Sequence, residues 1–312
     1  SGCGKTTSLR IIAGLERATE GKIIIDNEDV TLLPATDRDV SMVFQSYALF
    51  PHMSVIENVS YGLKMINESK DEYTEKSLET LKLVNLEGYE NRMPSELSGG
   101  QQQRVAVARA IVLKPKVLLF DEPLSNLDAK LRRQVREDIR EIQQKLGVTT
   151  IYVTHDQEEA LAISDKVIVM NNAVIAQQGS PKILYNHPKN KFVANFIGDA
   201  NVVKAEVVNK QSNKYELKLA EMNININSEK DLNSSVSVAL RPEKIRIDKN
   251  KTENSIEAKI NNASFVGSSY QYILNSKIGK LYVVSGDTNN VFKVNDEVYL
   301  TINQEEIKIL ND

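Results

Sequence analysis

The sequence contains few features of a secreted, membrane-spanning or broadly basic protein. No apolar run approaches the roughly 18 residues that a helix needs to cross a bilayer, so we expect no membrane span within this chain. A single cysteine excludes an intrachain disulfide and favours a reducing compartment. The formal net charge of −3 argues against a broad basic surface for nucleic acid.

What is present is an ordinary globular composition. Of the 312 residues, 41% are hydrophobic and 26% are charged, which excludes a mostly disordered chain and predicts two or three domains. The chain begins with SGCGK, which includes neither an initiator methionine nor a signal peptide. We therefore expect it to be part of a longer protein.

Residues 1–198 alternate between strand-like and helix-like patterns. Continuous apolar runs at 117–120, 150–153 and 166–170 are typical of strands that are buried on both faces of a parallel sheet. Between the first two runs, residues 128–146 have apolar positions at helical spacing and are followed by a glycine stop. The order strand, helix, strand predicts an α/β domain with a parallel sheet.

Two further regions differ from this pattern. Residues from about 64 to 114 are polar and helix-rich, which predicts a helical subdomain inserted into the α/β domain. Residues 199–312 contain short alternating runs, such as 236–240, 270–274 and 297–300, separated by Asn, Lys, Gly and Ser. This pattern predicts a second, all-β domain, either a small barrel or a sandwich.

The segment 2–7, GCGKTT, supplies the end of the phosphate-loop pattern G-x-x-x-x-G-K-[ST]. Glycines let successive backbone N–H groups curl around phosphate oxygens, and the following helix adds its positive N-terminus. Lys5 would reach the β- and γ-phosphates, and Thr6 would bind Mg²⁺. The alternative is a glycine-rich helix start with one exposed lysine.

Two adjacent carboxylates, Asp121 and Glu122, end the apolar run at 117–120. Sheets of this class place their ligands at such strand ends. Asp121 suits Mg²⁺, and Glu122 suits a general base for an attacking water. The alternative is a solvated acidic pair.

The segment 97–101, LSGGQ, precedes a helix that we predict from about residue 102 to 113. Ser98 is a typical N-cap, and the two glycines expose backbone N–H groups at a helix N-terminus, which forms a second phosphate-binding surface. An ordinary capped helix would explain Ser98 but not the two consecutive glycines.

These motifs, together with Gln45, the segment 125–128 (SNLD) and Thr154-His155, occur in the order and spacing of an ABC transporter ATPase subunit. Residues 1 to about 198 therefore resemble that family. The resemblance implies a P-loop NTPase core with a parallel sheet and an inserted helical subdomain. It also implies a head-to-tail homodimer in which ATP is sandwiched between the phosphate loop of one subunit and segment 98–100 of the other.

The resemblance also implies the site residues. Catalytic roles fall to Gln45 near the attacking water, to Glu122 as the base, and to His155 at the γ-phosphate. Mg²⁺ would be held by Thr6, Gln45 and Asp121. The residues implied to bind nucleotide, with Asp128 also bridging the two subunits, are Gly2, Cys3, Gly4, Lys5, Thr6, Thr7, Ser98, Gly99, Gly100, Gln101 and Asp128.

Two further segments resemble parts of such transporters. Residues 46–53 resemble the groove that receives a coupling helix of a membrane permease, and we expect Leu49 and Phe50 to lie partly in the core. The segment 240–245, LRPEKI, resembles the hallmark of the TOBE domain, an oligonucleotide-binding-like β-barrel found in maltose, polyamine and ferric-iron importer ATPases. We expect it to contribute dimer contacts and not to bind nucleic acid.

The resulting prediction is an ATP-hydrolysing subunit that energises an importer at the cytoplasmic face of the inner membrane as a peripheral subunit. Its partners would be a second ATPase subunit, transmembrane permease subunits and, indirectly, a solute-binding protein; the solute would be polyamine, ferric iron or sugar. The alternatives are a soluble ABC-type ATPase acting on nucleic acid or ribosomes, and an inactive fragment. The resemblance also implies an upstream strand and an adenine-stacking aromatic that would precede residue 1.

Overall fold

The computed structural model describes residues 2–228, 231–252 and 254–310, so the outermost residues of both predicted domains lie outside the described part. The chain forms two compact units, one of Ser1–Asp165 with Met170–Val174 and the other of Lys166–Val169 with Ile175–Asp312. The predicted domain boundary at residue 198 stays a prediction. Within the described ranges, no helix combines the length and apolar character needed to cross a bilayer.

A three-stranded parallel sheet forms the centre of the first unit. Its order is β3-β4-β5, with the strands at Val40–Val43, Val117–Asp121 and Thr149–Val153. Val43 pairs with Phe120, which in turn pairs with Tyr152, so the three strands end at the same edge of the sheet. Two further sheets have two strands each: β1 (Ile24–Ile25) with β2 (Glu28–Asp29), and β6 (Val167–Asn171) with β7 (Val174–Gly179). The prediction for the run at 166–170 is therefore wrong in one respect, because this strand pairs with β7 outside the parallel sheet and leaves Ile168 exposed.

The first unit has six α-helices in its described residues. Their bounds are α1 Lys5–Ile12, α2 Val55–Met65, α3 Lys70–Leu83, α4 Gly99–Ile111, α5 Ala129–Leu146 and α6 Gln157–Ile163. The predicted helical segment from about 64 to 114 thus contains the end of α2 and the whole of α3 and α4.

Strand β4 is buried on both faces, as its continuous apolar run predicts. Leu118 and Phe120 pack into the larger core, together with buried residues of α2, α4 and α5. Leu119 packs on the opposite face, in a smaller core beneath Leu9 of α1. The alternation follows from the period of two along a strand.

The boundaries of α5 agree with the sequence pattern, whereas those of α4 do not. Asp128 caps α5 by accepting hydrogen bonds from two backbone N–H groups, and Gly147 ends it at a φ of 63°. Helix α4 begins at Gly99 and ends at Ile111, so the predicted range from about 102 to 113 is wrong at both ends. Glycine is a poor helix former, but the Ser98 cap and packing against α5 override that preference.

The second unit is dominated by antiparallel strands. Two short helices come first, α7 (Pro181–Asn186) and α8 (Lys191–Phe196). Two five-stranded sheets follow, with the orders β10-β9-β8-β11-β17 and β12-β16-β13-β14-β15. Their strands are β8 Asn201–Gln211, β9 Lys214–Leu219, β10 Met222–Asn227, β11 Ser235–Leu240, β12 Ile245–Asp248, β13 Ile256–Phe265, β14 Tyr270–Ser276, β15 Gly279–Ser285, β16 Glu297–Ile302 and β17 Lys308–Leu310.

These two sheets share a single apolar core, to which Leu217 and Leu274 both contribute. The result is a barrel-like all-β region, which confirms the predicted fold class for this part of the chain. Arg241, within the LRPEKI segment, is buried and donates hydrogen bonds to the carbonyl oxygens of Tyr185, Ala194 and Ile197. Its guanidinium therefore fastens α7 and α8 to the barrel, and burial lowers its pKa.

Candidate functional site

The phosphate-loop segment leads directly into α1. Gly2 and Gly4 have φ angles of 83° and 87°, in the left-handed region that glycine adopts without a steric penalty. Lys5 Nζ lies 3.2 Å from Cys3 Sγ, so the ammonium group folds back over the loop. Burial acts to raise the pKa of the Cys3 thiol, but the hydrogen bond and positive charge of Lys5 leave that pKa below its usual value.

Arg38 fixes the far end of α1. It is 4% exposed and donates hydrogen bonds to the carbonyl oxygens of Ile11 and Ile12, at 2.6 and 3.0 Å, and to those of Leu33 and Thr31. The positive charge lies where the helix dipole is negative and where carbonyl groups lack helical partners. Arg38 thereby anchors the helix that carries Lys5.

Thr6 and Asp121 meet between α1 and the end of β4. Thr6 Oγ1 donates a hydrogen bond of 3.2 Å to Asp121 Oδ1, although the two residues are far apart in the chain. Both are oxygen ligands of the kind that Mg²⁺ prefers, and Mg²⁺ at nucleotide sites takes one or two carboxylates plus phosphate oxygens. Among the described residues no three His, Cys, Asp or Glu side chains converge, which is compatible with such a sparse ligand set.

Glu122 and His155 form the second pair at this sheet edge. Glu122 Oε2 accepts a hydrogen bond of 2.9 Å from Nδ1 of His155. Glu122 has a φ of 46°, and its backbone N–H donates to the carbonyl of Val153 at 3.0 Å. A non-glycine residue in this conformation stores strain of about 1–3 kcal/mol, and such strain concentrates at functional sites. His155 is 63% exposed, so its imidazole is open to a ligand.

Gln45 lies just beyond β3 at the same edge of the sheet. Its carbonyl oxygen accepts a hydrogen bond of 3.0 Å from Asn126 Nδ2, which joins the Gln45 loop to the segment before α5. The Gln45 side chain is exposed. The next residues, Tyr47 and Ala48, have φ angles of 62° and 51°, so this loop is held in a left-handed conformation.

Segment 98–101 forms the first turn of α4 and its cap. Ser98 Oγ accepts a hydrogen bond from the backbone N–H of Gln101 at 3.4 Å, and Gln101 Oε1 accepts one from the Ser98 N–H at 2.9 Å. This is a complete capping box. Among the described residues, no hydrogen bond joins this segment to residues 2–7.

The two glycines of this segment also lie close to leucine side chains, which the sequence argument did not anticipate. A Cβ on Gly100 would lie 2.8 Å from Leu131 Cδ1, and a Cβ on Gly99 would lie 3.0 Å from Leu127 Cδ2. The N-terminus of α4 therefore lies directly against the start of α5.

Five charged residues that sequence reasoning did not single out connect these segments. Arg104 makes a two-pronged contact with Asp138 of α5, with Nη2–Oδ2 at 2.6 Å and Nε–Oδ2 at 3.1 Å. Arg109 donates to the carbonyls of Ala48 and Tyr47, at 2.7 and 3.1 Å. Arg104 and Arg109 are the two charged residues of an otherwise apolar and glutamine-rich helix. Their isolation in that helix is the feature of the sequence that could have identified them. Glu159 and Arg132 form the other connection.

Comparison with known proteins agrees with this geometry. The pattern of the family described as "ABC transporter" matches residues 1–125, and that of the TOBE domain matches residues 238–310. The "Fe(3+) ions import ATP-binding protein FbpC" of Agrobacterium fabrum is 48% identical over 311 residues, covering 100% of this chain and 88% of that protein.

Solved structures are similar to a little over half of the chain. The dimeric structure of a post-hydrolysis state of the ATP-binding cassette MJ0796, bound to ADP and Pi, has a TM-score of 0.50 at 33% identity; it covers 57% of this chain and 81% of that one. The structure of cbiO1 from Clostridium perfringens, part of the ABC transporter complex cbiONQ, has a TM-score of 0.53 at 31% identity, with coverages of 58% and 74%.

Proposed function

Since this chain belongs to the family of ABC transporter ATP-binding subunits with a TOBE domain, it binds and hydrolyses ATP to energise an importer, and we propose that the imported solute is ferric iron. The support for iron is the 48% identity to a ferric-iron import protein over the whole of this chain. The ATPase does not touch the solute, so its own residues carry no independent information about the cargo. The same relatives favour the importer over the soluble nucleic-acid or ribosomal alternative.

The identity of the solute is tested by uptake measurements in the source organism, after its gene has been replaced with one that encodes the Glu122→Gln variant. We expect uptake of radioactive ferric iron to fall to the level of a deletion, while polyamine and sugar uptake stay unchanged. A selective loss of polyamine or sugar uptake would overturn the assignment of iron without affecting the assignment as an importer ATPase.

For the chemistry, the Thr6–Asp121 contact at 3.2 Å supports a Mg²⁺ site formed by Thr6, Asp121 and Gln45. The ion would neutralise phosphate charge and supply Lewis-acid polarisation when bound. Lys5 would bind the β- and γ-phosphate oxygens, and the backbone N–H groups of segment 2–7 would surround them.

Hydrolysis then uses the pair at the edge of β4 and β5. A water attacks the γ-phosphorus in line with the leaving oxygen, and Glu122 accepts the proton that this water loses. The bond between the γ-phosphorus and the bridging oxygen breaks, and the electron pair stays with ADP. His155 orients the Glu122 carboxylate, at 2.9 Å, and offers an exposed imidazole to the γ-phosphate. This pair is the observation on which the catalytic assignment rests.

The presence of two segments of phosphate-binding type in one chain, 2–7 and 98–101, supports a head-to-tail homodimer. Segment 98–101 of one subunit would cover the γ-phosphate bound by segment 2–7 of the other, and Asp128 would bridge the subunits. The dimeric cassette structure that this chain resembles is compatible with such an assembly.

The surface after Gln45 is proposed to receive a permease. Leu49 and Phe50 are both partly buried, and the Phe50 ring lies 4.7 Å from the Tyr61 ring and 5.5 Å from the Arg109 guanidinium. An aromatic surface with a nearby cation suits a short amphipathic helix. Docking to permease subunits would place this chain peripherally at the cytoplasmic face of the membrane, with a solute-binding protein as an indirect partner.

A further inference from the structure

A buried carboxylate, Glu159, lies directly behind the loop that carries His155. It belongs to α6 and is 3% exposed. Its Oε2 atom accepts hydrogen bonds from Thr154 Oγ1 at 2.7 Å and from the Tyr152 hydroxyl at 3.1 Å. Burying a carboxylate costs free energy unless its oxygens accept hydrogen bonds or are paired with a charge. The hydroxyls of Thr154 and Tyr152 offset this cost for Oε2.

Thr154 connects Glu159 to the backbone around His155. Its hydroxyl donates to Glu159 and at the same time accepts a hydrogen bond of 2.9 Å from the backbone N–H of Asp156. Thr154 and Asp156 are the immediate neighbours of His155, one on each side. One hydrogen-bonded chain therefore holds the backbone on both sides of the imidazole that contacts Glu122.

The second oxygen of Glu159 faces Arg132. Glu159 Oε1 lies 3.9 Å from Arg132 Nε, and Asp156 Oδ2 lies 3.5 Å from Arg132 Nη1. Arg132 also donates a hydrogen bond of 3.0 Å to the carbonyl oxygen of Leu127, the residue before Asp128. The same carboxylate is thus connected to the His155 loop and to the start of α5.

Tyr152 supports the carboxylate from the sheet side and is not part of the connection to His155. Its side chain packs against Phe120, with ring centroids 5.6 Å apart. Burial, and then the Glu159 charge, raise the pKa of Tyr152, so its hydroxyl keeps its proton and remains a donor. Tyr152 therefore offers a matched control, because removing its hydroxyl takes one bond from Glu159 and leaves the Thr154 connection in place.

We propose that Glu159 is a positioning residue that holds His155 against Glu122 and, through Arg132, joins the His155 loop to the Asp128 loop. It acts through Thr154 and Arg132. The proposal rests on the role of His155 in hydrolysis given above. A purely structural carboxylate would instead affect stability without affecting the chemistry of His155.

The test compares steady-state ATP hydrolysis by the full chain and its variants. Glu159→Gln and Thr154→Val are expected to lower kcat by about tenfold to a hundredfold with KM changed less than about threefold, since small misplacements of a reacting group have effects of this size. Thr154→Ser keeps the hydroxyl and should restore kcat. Tyr152→Phe should keep kcat within about twofold while lowering thermal stability.

Combining Glu159→Gln with His155→Ala distinguishes a positioning role from a general loss of structure. If Glu159 acts through His155, adding Glu159→Gln to His155→Ala should leave kcat unchanged, because the group being positioned is already gone. If kcat of the double variant is lowered by the product of the two factors measured for the single variants, the positioning role is wrong. If His155→Ala alone keeps the native kcat, the role of His155 in the proposed function fails first, and this inference fails with it.

A spectroscopic measurement gives a readout that does not depend on low activities. The chain has three histidines, so the imidazole proton resonance of His155 can be assigned by its loss in His155→Ala. We expect this resonance to move in Glu159→Gln and Thr154→Val toward its position in Glu122→Ala, and to stay in place in Tyr152→Phe. An unmoved resonance in Glu159→Gln would overturn the proposal.

Discussion

Glu122 Oε2 lies 2.9 Å from His155 Nδ1, although 33 positions separate the two residues in the chain. The contact exists because β4 and β5 are parallel neighbours whose register pairs Asp121 with Val153. The strands then end together, so Glu122, the first residue after β4, meets His155, the second residue after β5. The sheet therefore brings a carboxylate and an imidazole to the same edge.

The Glu122→Gln variant is the first prediction. The amide keeps the shape of the side chain but does not accept a proton at neutral pH, so kcat for ATP hydrolysis should fall by at least roughly 10²–10⁴. ATP affinity, measured by equilibrium binding, should stay within about threefold. Glu137→Gln, an exposed change of the same chemical type on α5, is the matched control and should leave kcat unchanged. Substantial turnover in Glu122→Gln would remove its role as the base.

The reactivity of Cys3 is predicted to depend on Lys5. Because the pKa of this thiol is below its usual value, its alkylation at pH 7 should be faster than that of an ordinary cysteine. Lys5→Met removes the hydrogen bond and the positive charge of the Lys5 side chain, both of which lower the pKa of the thiol. The alkylation rate at pH 7 should therefore fall, and the rise of this rate with pH should shift to higher pH. Cys3 is the only cysteine, so mass spectrometry reports the rate directly. Equal rates with and without Lys5 would contradict the assigned contact.

Arg38 is predicted to be a major contributor to the stability of the first unit. Arg38→Met removes a donor from the carbonyls of Ile11 and Ile12. The Ile11 carbonyl still accepts a hydrogen bond of 3.2 Å from the Gly14 N–H, whereas a buried carbonyl left without a partner costs about 1–3 kcal/mol. Urea denaturation should show a lower free energy of unfolding for this unit. Arg38→Lys should recover only part of the loss, because an ammonium group does not reproduce the planar fork of a guanidinium. The exposed change Arg17→Met is the control and should have little effect.

The Arg104–Asp138 pair is predicted to couple α4 to α5. Both side chains are largely buried, and the two contacts of the guanidinium, at 2.6 and 3.1 Å, make the geometry specific. A double-mutant cycle with Arg104→Met and Asp138→Asn should give a coupling free energy of about 1–2 kcal/mol. The exposed Arg133–Glu137 pair within α5 is the control and should give no measurable coupling. Equal coupling free energies in both pairs would show that the Arg104–Asp138 contact contributes no more than an exposed ion pair.

The fold and much of the site follow from local pattern. The apolar run before Asp121 predicted a strand buried on both faces, and the structure confirms it. Asp128 and Gly147 at the ends of a periodic segment predicted α5 to within one residue. The prediction of an importer ATPase with a TOBE domain is confirmed by the family matches and relatives, whereas the individual roles of the site residues stay predictions.

Other features depend on contacts between distant segments and left no local signal. The start of α4 at Gly99 was missed because glycine predicts a loop, whereas the structure begins the helix there, directly after the Ser98 cap. Arg38 and Glu159 are ordinary charges in the sequence. Their burial and partners appear only when α1, β5 and α6 are in place.

The central claim is that two copies of this chain bind ATP between segment 2–7 of one and segment 98–101 of the other. Size-exclusion chromatography with light scattering on Glu122→Gln tests it most directly, because this variant should bind ATP without turning it over. We predict a monomer without nucleotide, a dimer with ATP and Mg²⁺, and no dimer when Ser98→Glu is added, although ATP binding persists. A monomer at saturating ATP, or a dimer that forms regardless of nucleotide and of Ser98→Glu, would contradict the account.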